Sequence, residues 1–270
     1  MSVWSELEHE LDAWRAAGRD ATMWWRDDDA VAPTPALDRL LSIAAQAARG
    51  AVPIALAVIP VPAEPGLADR LARTPTASVL QHGYAHLNHA ETGSKKAELG
   101  CDRPVALSTS ELLSGCRRLQ ALFGKHAGRP VLPVLVPPWN RIDGAVLHAL
   151  PGLGFFGISM HRARLALEPC PGLRMVNAHV DIVDWRNGKA FLGAEPALGL
   201  LIEHLSARRR GMADADEPTG LLTHHLVHAP DAWDFVAELL ERTTAHAATR
   251  WVDVRRAFGA AEPAPAAASA

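Results

Sequence analysis

Trp4, Leu7, Leu11 and Trp14 recur at helical spacing and the pattern stops at Gly18, so an amphipathic helix is predicted over 3–17. After it the chain changes period. Short apolar runs at 22–26, 53–59, 78–81, 131–136, 155–159, 174–182, 220–223 and 250–252 read as strands. Helical patterns lie between most of them. One covers 35–48, with Thr34 as N-cap, Pro35 at the first helical position and Leu37, Leu40, Leu41 and Ala44 turned inward. Another covers 109–123, where Ser108 and Glu111 are spaced as a capping box and Gly124 ends the run. Further helices are predicted at 142–150, 197–209 and 231–246.

Strand and helix in repeated alternation predict a parallel α/β fold, and seven or eight strands suit a barrel better than an open sheet. No glycine-rich loop follows the first strand, which removes the main support for a dinucleotide fold. The expected organisation is one barrel domain over 1–258 with the helix at 3–17 packed on it, and a low-complexity tail over 259–270.

Composition narrows the partners. The 270 residues are 49% hydrophobic and 21% charged with a net charge of −3, which describes a folded globular chain without the basic footprint of a nucleic-acid binder. The one basic run, Arg208-Arg209-Arg210, reads as the solvated end of a helix. Cys101, Cys116 and Cys170 form no CxxC pair and read as packing residues of a reducing compartment. The acidic N-terminus lacks the basic start and apolar run of a signal peptide, and Pro53, Pro60 and Pro62 interrupt the most apolar stretch. A cytoplasmic location without membrane attachment is expected.

The residues that carry chemistry fall just after predicted strands. Trp24-Trp25-Arg26-Asp27-Asp28-Asp29 gathers three carboxylates, which need a cation or an arginine nearby unless the turn is simply exposed. His82 and His86 stand at i and i+4, on one face of any helical turn, where both imidazoles can grip one metal ion; His89 is a third candidate. Between them lies Tyr84, the only tyrosine. Val136-Pro137-Pro138-Trp139-Asn140-Arg141 offers a rigid aromatic wall and a base. Asp181-Ile182-Val183-Asp184-Trp185-Arg186 offers two acids, an aromatic and a base. Leu221-Leu222-Thr223-His224-His225 closes a strand with two histidines whose side chains must point to opposite faces. Each stretch alone reads equally well as an acidic cap, surface histidines or loop packing. Together they converge on the strand ends, where α/β barrels carry their sites.

This ordered set resembles the polysaccharide deacetylase family (the NodB homology fold, carbohydrate esterase family 4) over residues 20–228. The family's Asp-Asp pair is matched within Asp27-Asp28-Asp29. Its His-Ser/Thr-x-x-His is matched by His82-Gly83-Tyr84-Ala85-His86, its Arg-x-Pro-aromatic partly by Val136-Pro137-Pro138-Trp139, its Asp beside Trp by Asp184-Trp185, and its Leu-x-Leu-His by Leu221-Leu222-Thr223-His224. Val136 stands where the family's arginine tunes the base, so Arg26, Arg141 or Arg186 must take that part. The acids admit three assignments: Asp28 as base with Asp29 as ligand, Asp27 as base with Asp29 as ligand, or Asp27 as base with Asp28 as ligand. Asp29 is the preferred ligand.

The resemblance implies a distorted (β/α) barrel, NodB-like, and a metal-dependent hydrolase that removes acetyl groups from sugars. It implies a divalent ion, most simply zinc, on Asp29, His82 and His86; Asp28 or Asp27 as general base; and His224 as general acid, with Asp184 in the fourth motif. An oxyanion would form against the metal and a backbone N–H near Tyr84, and Tyr84, Trp139, Trp185 and Arg141 would line the pocket. The expected substrate is a small N- or O-acetylated carbohydrate. A small non-sugar amide, or carbohydrate binding without turnover, is the alternative.

Overall fold

The longest strand, β1 (Ala21–Ala30), runs between two others in a parallel sheet, and its two consecutive tryptophans point opposite ways. In the computed structural model, which describes residues 2–48, 50–124 and 131–260, the strands that follow are β2 (Ile54–Val58), β3 (Ala77–His82), β4 (Val134–Val136), β5 (Gly157–Ile158), β6 (Arg174–Met175), β7 (Val180–Asp181), β8 (Val183–Asp184), β9 (Ala190–Phe191), β10 (Thr219–Thr223) and β11 (Thr249–Trp251). Eight of them form a parallel path in the order β6-β5-β4-β3-β2-β1-β10-β7, with β11 beside the first residues of β1. The path curls without closing into a ring, giving a half-barrel with helices outside. β8 and β9 make a separate antiparallel hairpin.

The helices are α1 (Val3–Ala16), α2 (Pro35–Ala45), α3 (Pro65–Leu71), α4 (Val105–Phe123), α5 (Gly144–Ala149), α6 (Ala194–Arg209), α7 (Pro230–Ala245) and α8 (Val254–Ala257). Trp25 joins the outer core, with Leu37, Leu40, Leu201 and Val236 of the covering helices, while Trp24 joins Ala55, Leu80, Val134 and Val176 inside the curl. This two-sided burial explains why the strands read as apolar runs rather than alternations. Among the described residues no helix is long and apolar enough to cross a membrane.

Several expectations change. β1 continues through all three acids, which therefore belong to a strand and not to a turn. α4 begins one turn early, at Val105 after Pro104, so Ser108 is buried inside the helix and Glu111 pairs with Arg103 instead of completing a capping box. The predicted strand over 174–182 is broken by irregular backbone at 176–179. Arg208 is not a solvated helix end. It is 1% exposed, donates to the Thr22 carbonyl, Thr22 Oγ1, Thr219 Oγ1 and the Ala215 carbonyl, and lies over the Trp14 ring, fastening α6 to β1 and β10. Cys170 is buried and Cys116 half-buried, but Cys101 is exposed. Residues 261–270 of the expected tail lie outside the described residues.

Candidate active site

Alternation along β1 sorts the three acids. Arg26 and Asp28 share the inner face with Trp24, and Asp27 shares the outer face with Trp25. Asp27 is accordingly held under the helices. It accepts from Thr223 Oγ1 (2.6 Å), the His225 backbone N–H (3.0 Å) and His225 Nδ1 (2.5 Å). Burial pushes its carboxyl up, but the His225 charge and these bonds outweigh it and hold the group below the usual carboxylate range. Asp27 therefore stands apart from the inner-face acid, contrary to the two assignments that make it the base.

Asp28 lies inside, clamped by Arg26 through Nε to Oδ1 (2.9 Å) and Nη2 to Oδ2 (3.0 Å). The guanidinium is fully buried, and its remaining donors reach Ser159 Oγ (2.7 Å), the Met160 carbonyl (3.0 Å) and Asn140 Oδ1 (3.1 Å). Of the three arginines considered for the place left by Val136, Arg26 is the one that meets an inner-face acid. Arg141 donates to the Lys96 carbonyl, and Arg186 is exposed.

Strict alternation would turn Asp29 outward with Asp27. It does not, because the pairing of β1 with β2 slips between Asp27 and Ala30 and Asp29 takes a left-handed φ of 70°. That bulge brings Asp29 Oδ1 to 3.2 Å from His82 Nε2 and 3.4 Å from His86 Nε2. Of the six non-glycine residues with positive φ among those described, Asp29, His86, Trp139 and Asn140 all belong to this corner, a concentration of backbone strain expected of a working site.

The two histidines meet without a helix. His82 ends β3, and its Nδ1 donates to the Val136 carbonyl (2.9 Å), which leaves the Nε2 lone pair free toward Asp29. Residues 83–87 then form an irregular turn around Glu98. This fully buried carboxylate accepts from the backbone N–H groups of Tyr84 (2.9 Å), Ala85 (2.7 Å) and Leu87 (3.4 Å). Gly83 makes the close approach possible, because at φ 54° a Cβ would lie 2.0 Å from Glu98 Oε2. The turn sets His86 against the Trp139 ring at 4.4 Å. The Tyr84 N–H is thus spoken for, which removes it as an oxyanion donor. His89 does not join the cluster; its backbone pairs with Ala97.

Asp29, His82 and His86 offer one oxygen and two nitrogens within 4.8 Å of one another. Asp29 Oδ1 is buried and close to both rings, yet makes no aligned hydrogen bond with either. An anionic oxygen facing two imidazole lone pairs is a donor set that suits a borderline divalent ion such as zinc. His82→Ala and His86→Ala are each expected to strip the ion, since two ligands hold zinc poorly in water. Metal analysis of the purified variants, after dialysis against zinc, checks this; wild-type metal content in both would refute the site.

The other wall comes from β10 and β7. Thr223 and His225 face outward to Asp27, and His224 faces inward, with Nε2 4.0 Å from Asp28 Oδ2 and Nδ1 3.9 Å from Asp181 Oδ1. Trp185 stands edge-on to His224 at 4.7 Å and donates Nε1–H to Asp181 Oδ2 (2.8 Å). The acid beside His224 is therefore Asp181. Asp184, the residue expected from the fourth motif, belongs to the β8–β9 hairpin. There it accepts from the backbone N–H groups of Arg186 and Asn187 and from Asn187 Nδ2, capping the turn.

A second group, His179, His204 and Glu217, has metal-compatible spacing at the opposite end of β10. Its polarity is wrong for a cation. His179 Nδ1 accepts the Gly220 N–H (2.8 Å), so the neutral ring carries its proton on Nε2, facing Glu217 Oε2 at 3.4 Å. Glu217 also accepts two backbone N–H groups, and the Arg208 and Arg164 charges bear on His179. The two imidazoles stack at 3.4 Å and are kept neutral. Burial, His179 and Arg208 push His204 down to about 2 from 6.5. The unfolded chain thus takes up a proton that the folded one refuses, and the resulting stability is complete above about pH 6.5 and falls as pH drops below it. Thermal melts from pH 7 to 4 should show this slope, and His204→Leu should flatten it. An unchanged slope would place the acid sensitivity elsewhere.

No protein-family model matches the chain, and no curated protein matches it. Solved structures do. A Mycobacterium smegmatis protein described as a "putative polysaccharide deacetylase" superposes with a TM-score of 0.61 at 16% identity, covering 89% of this chain and 90% of that one. The chain has the fold of that protein. A 4-alpha-glucanotransferase from Thermococcus litoralis superposes with a TM-score of 0.56 at 10% identity over 91% of this chain, but over only 41% of its own. The shared element is the curled, mostly parallel half-barrel with its outer helices.

Proposed function

We propose that this protein is a metal-dependent hydrolase that removes an acetyl group from a small N- or O-acetylated sugar. The observation that carries the reading is the Arg26-clamped Asp28 lying between the Asp29–His82–His86 corner and His224. A divalent ion held by Asp29, His82 and His86 would supply Lewis acidity toward the carbonyl oxygen and the attacking water. Arg26 fixes the orientation of Asp28, so Asp28 can take the proton of water as the new C–O bond forms. His224 then delivers a proton to the departing nitrogen as the C–N bond breaks, with Asp181 3.9 Å from its other ring nitrogen. An amide leaves poorly unless it is protonated, so the reaction needs both an acid and a base on opposite sides of the scissile bond. Trp139 and Trp185 offer flat faces to a sugar ring.

An exposed apolar residue, Leu87 next to His86, favours a second reading in which the substrate is a small non-sugar amide. Acetate release by the zinc-loaded protein from N-acetylglucosamine, its short oligomers and acetamide separates the readings. Release from the sugars supports the first, release from acetamide alone supports the second, and release from none overturns the hydrolase assignment.

A further inference from the structure

His161 is a fourth imidazole inside the curl, outside the metal corner and unused by the mechanism. The chain places it there by alternation. Gly157 faces inward, where a Cβ would meet Val134 and Phe258, while Ile158 and Met160 pack in the outer cluster under α5. Ser159 faces inward again and accepts from Arg26. The pairing continues past β5 through a bridge of His161 with Ala178, so His161 falls on the same inner face.

Its surroundings are those of the reacting groups. Asp181, Arg26 and Asp28 are its main charged neighbours along with Arg162, and burial together with the two arginines keeps the ring neutral. The residue is half-buried, and its Nε2 is wholly buried without a hydrogen-bond partner. Nothing from outside reaches that enclosed nitrogen; the other ring nitrogen, Nδ1, is neither enclosed nor hydrogen-bonded and is the atom a ligand can meet. The ring has no charge with which to hold an anion, and Asp28 and Asp181 repel one. A neutral hydroxyl, which can donate or accept, fits.

We propose that His161 is a substrate-binding residue that hydrogen-bonds a ring hydroxyl beside the acylated nitrogen. The proposal rests on the deacetylase reading above, and it makes His161 a determinant of preference for sugars over plain amides. The test compares zinc-loaded wild type, His161→Ala and His161→Gln on N-acetylglucosamine and on N-cyclohexylacetamide, which keeps the ring and amide but has no hydroxyl. His161→Ala should lower kcat/KM about tenfold more on the sugar than on the cyclohexyl amide, and His161→Gln should recover part of the difference. Equal losses on both substrates, or none on either, would overturn it, as would a wild type active on the cyclohexyl amide alone. A wild type that releases acetate from neither substrate overturns the deacetylase reading instead. His161 is then read from N-acetylglucosamine affinity by calorimetry: about a tenfold weaker Kd in His161→Ala supports the contact, and an unchanged Kd or no binding by wild type refutes it.

Discussion

Asp28→Asn is expected to lower acetate release about 10²–10⁴-fold while metal content stays at the wild-type level. The substitution keeps the volume of the side chain and removes its capacity to take a proton. The other inward acid of β1, Asp29, is turned to His82 and His86 and does not take its place. Its two neighbours should fail differently. Asp29→Asn withdraws the anionic oxygen that faces His82 and His86, so metal is lost and activity with it. Asp27→Asn leaves both the metal corner and Asp28 in place, but gives up the charged partner of a buried histidine. Its main effect should be a lower melting temperature, with activity and metal retained in the folded fraction. Metal analysis, melting curves and turnover on the three variants resolve the three roles. Metal loss in Asp28→Asn, or a catalytic defect in Asp27→Asn without a stability defect, would reverse the assignment.

The placement of the three acids is only half legible in the sequence, for a physical reason. Alternation separates Asp27 from Asp28, but it sends Asp29 to the wrong face, and only the bulge corrects this. A one-residue slip in strand pairing leaves no mark in the pattern of apolar positions. The half-barrel itself was readable because strands buried on both faces and amphipathic helices differ in period. The pairing of His82 with His86 was found through a helical spacing the chain does not use; the turn is made by Glu98, a lone acid with no spacing signal to it. Asp184 was preferred over Asp181 because Asp184 precedes the tryptophan in sequence, whereas in space Trp185 turns back and bonds Asp181. The burial of Arg208 leaves no mark in the sequence, because a triple-arginine run looks solvated whichever member is buried. In each case the element was visible and the facing was not.

Arg26→Met should be the most damaging single change to the fold at this site. The methionine fills most of the volume but leaves the Asp28 carboxylate on the inner face without its clamp, and strips Ser159, the Met160 carbonyl and Asn140 of their shared donor. Removing one partner of a buried pair costs about 3–5 kcal/mol, because the other charge stays desolvated. Asp28 can relieve the cost by taking up a proton, since burial without a counter-charge favours the neutral acid. A protonated Asp28 is no base, so turnover at neutral pH falls with stability. Raising the pH should then recover part of the rate in Arg26→Met as Asp28 ionises. The double variant Arg26→Met/Asp28→Leu removes both charges and should regain much of the lost stability with no gain in activity. Urea unfolding of the two variants beside wild type measures the first part, and a pH–rate profile of Arg26→Met the second. Wild-type stability and an unshifted profile in Arg26→Met would mean that Arg26 neither holds Asp28 nor sets its charge.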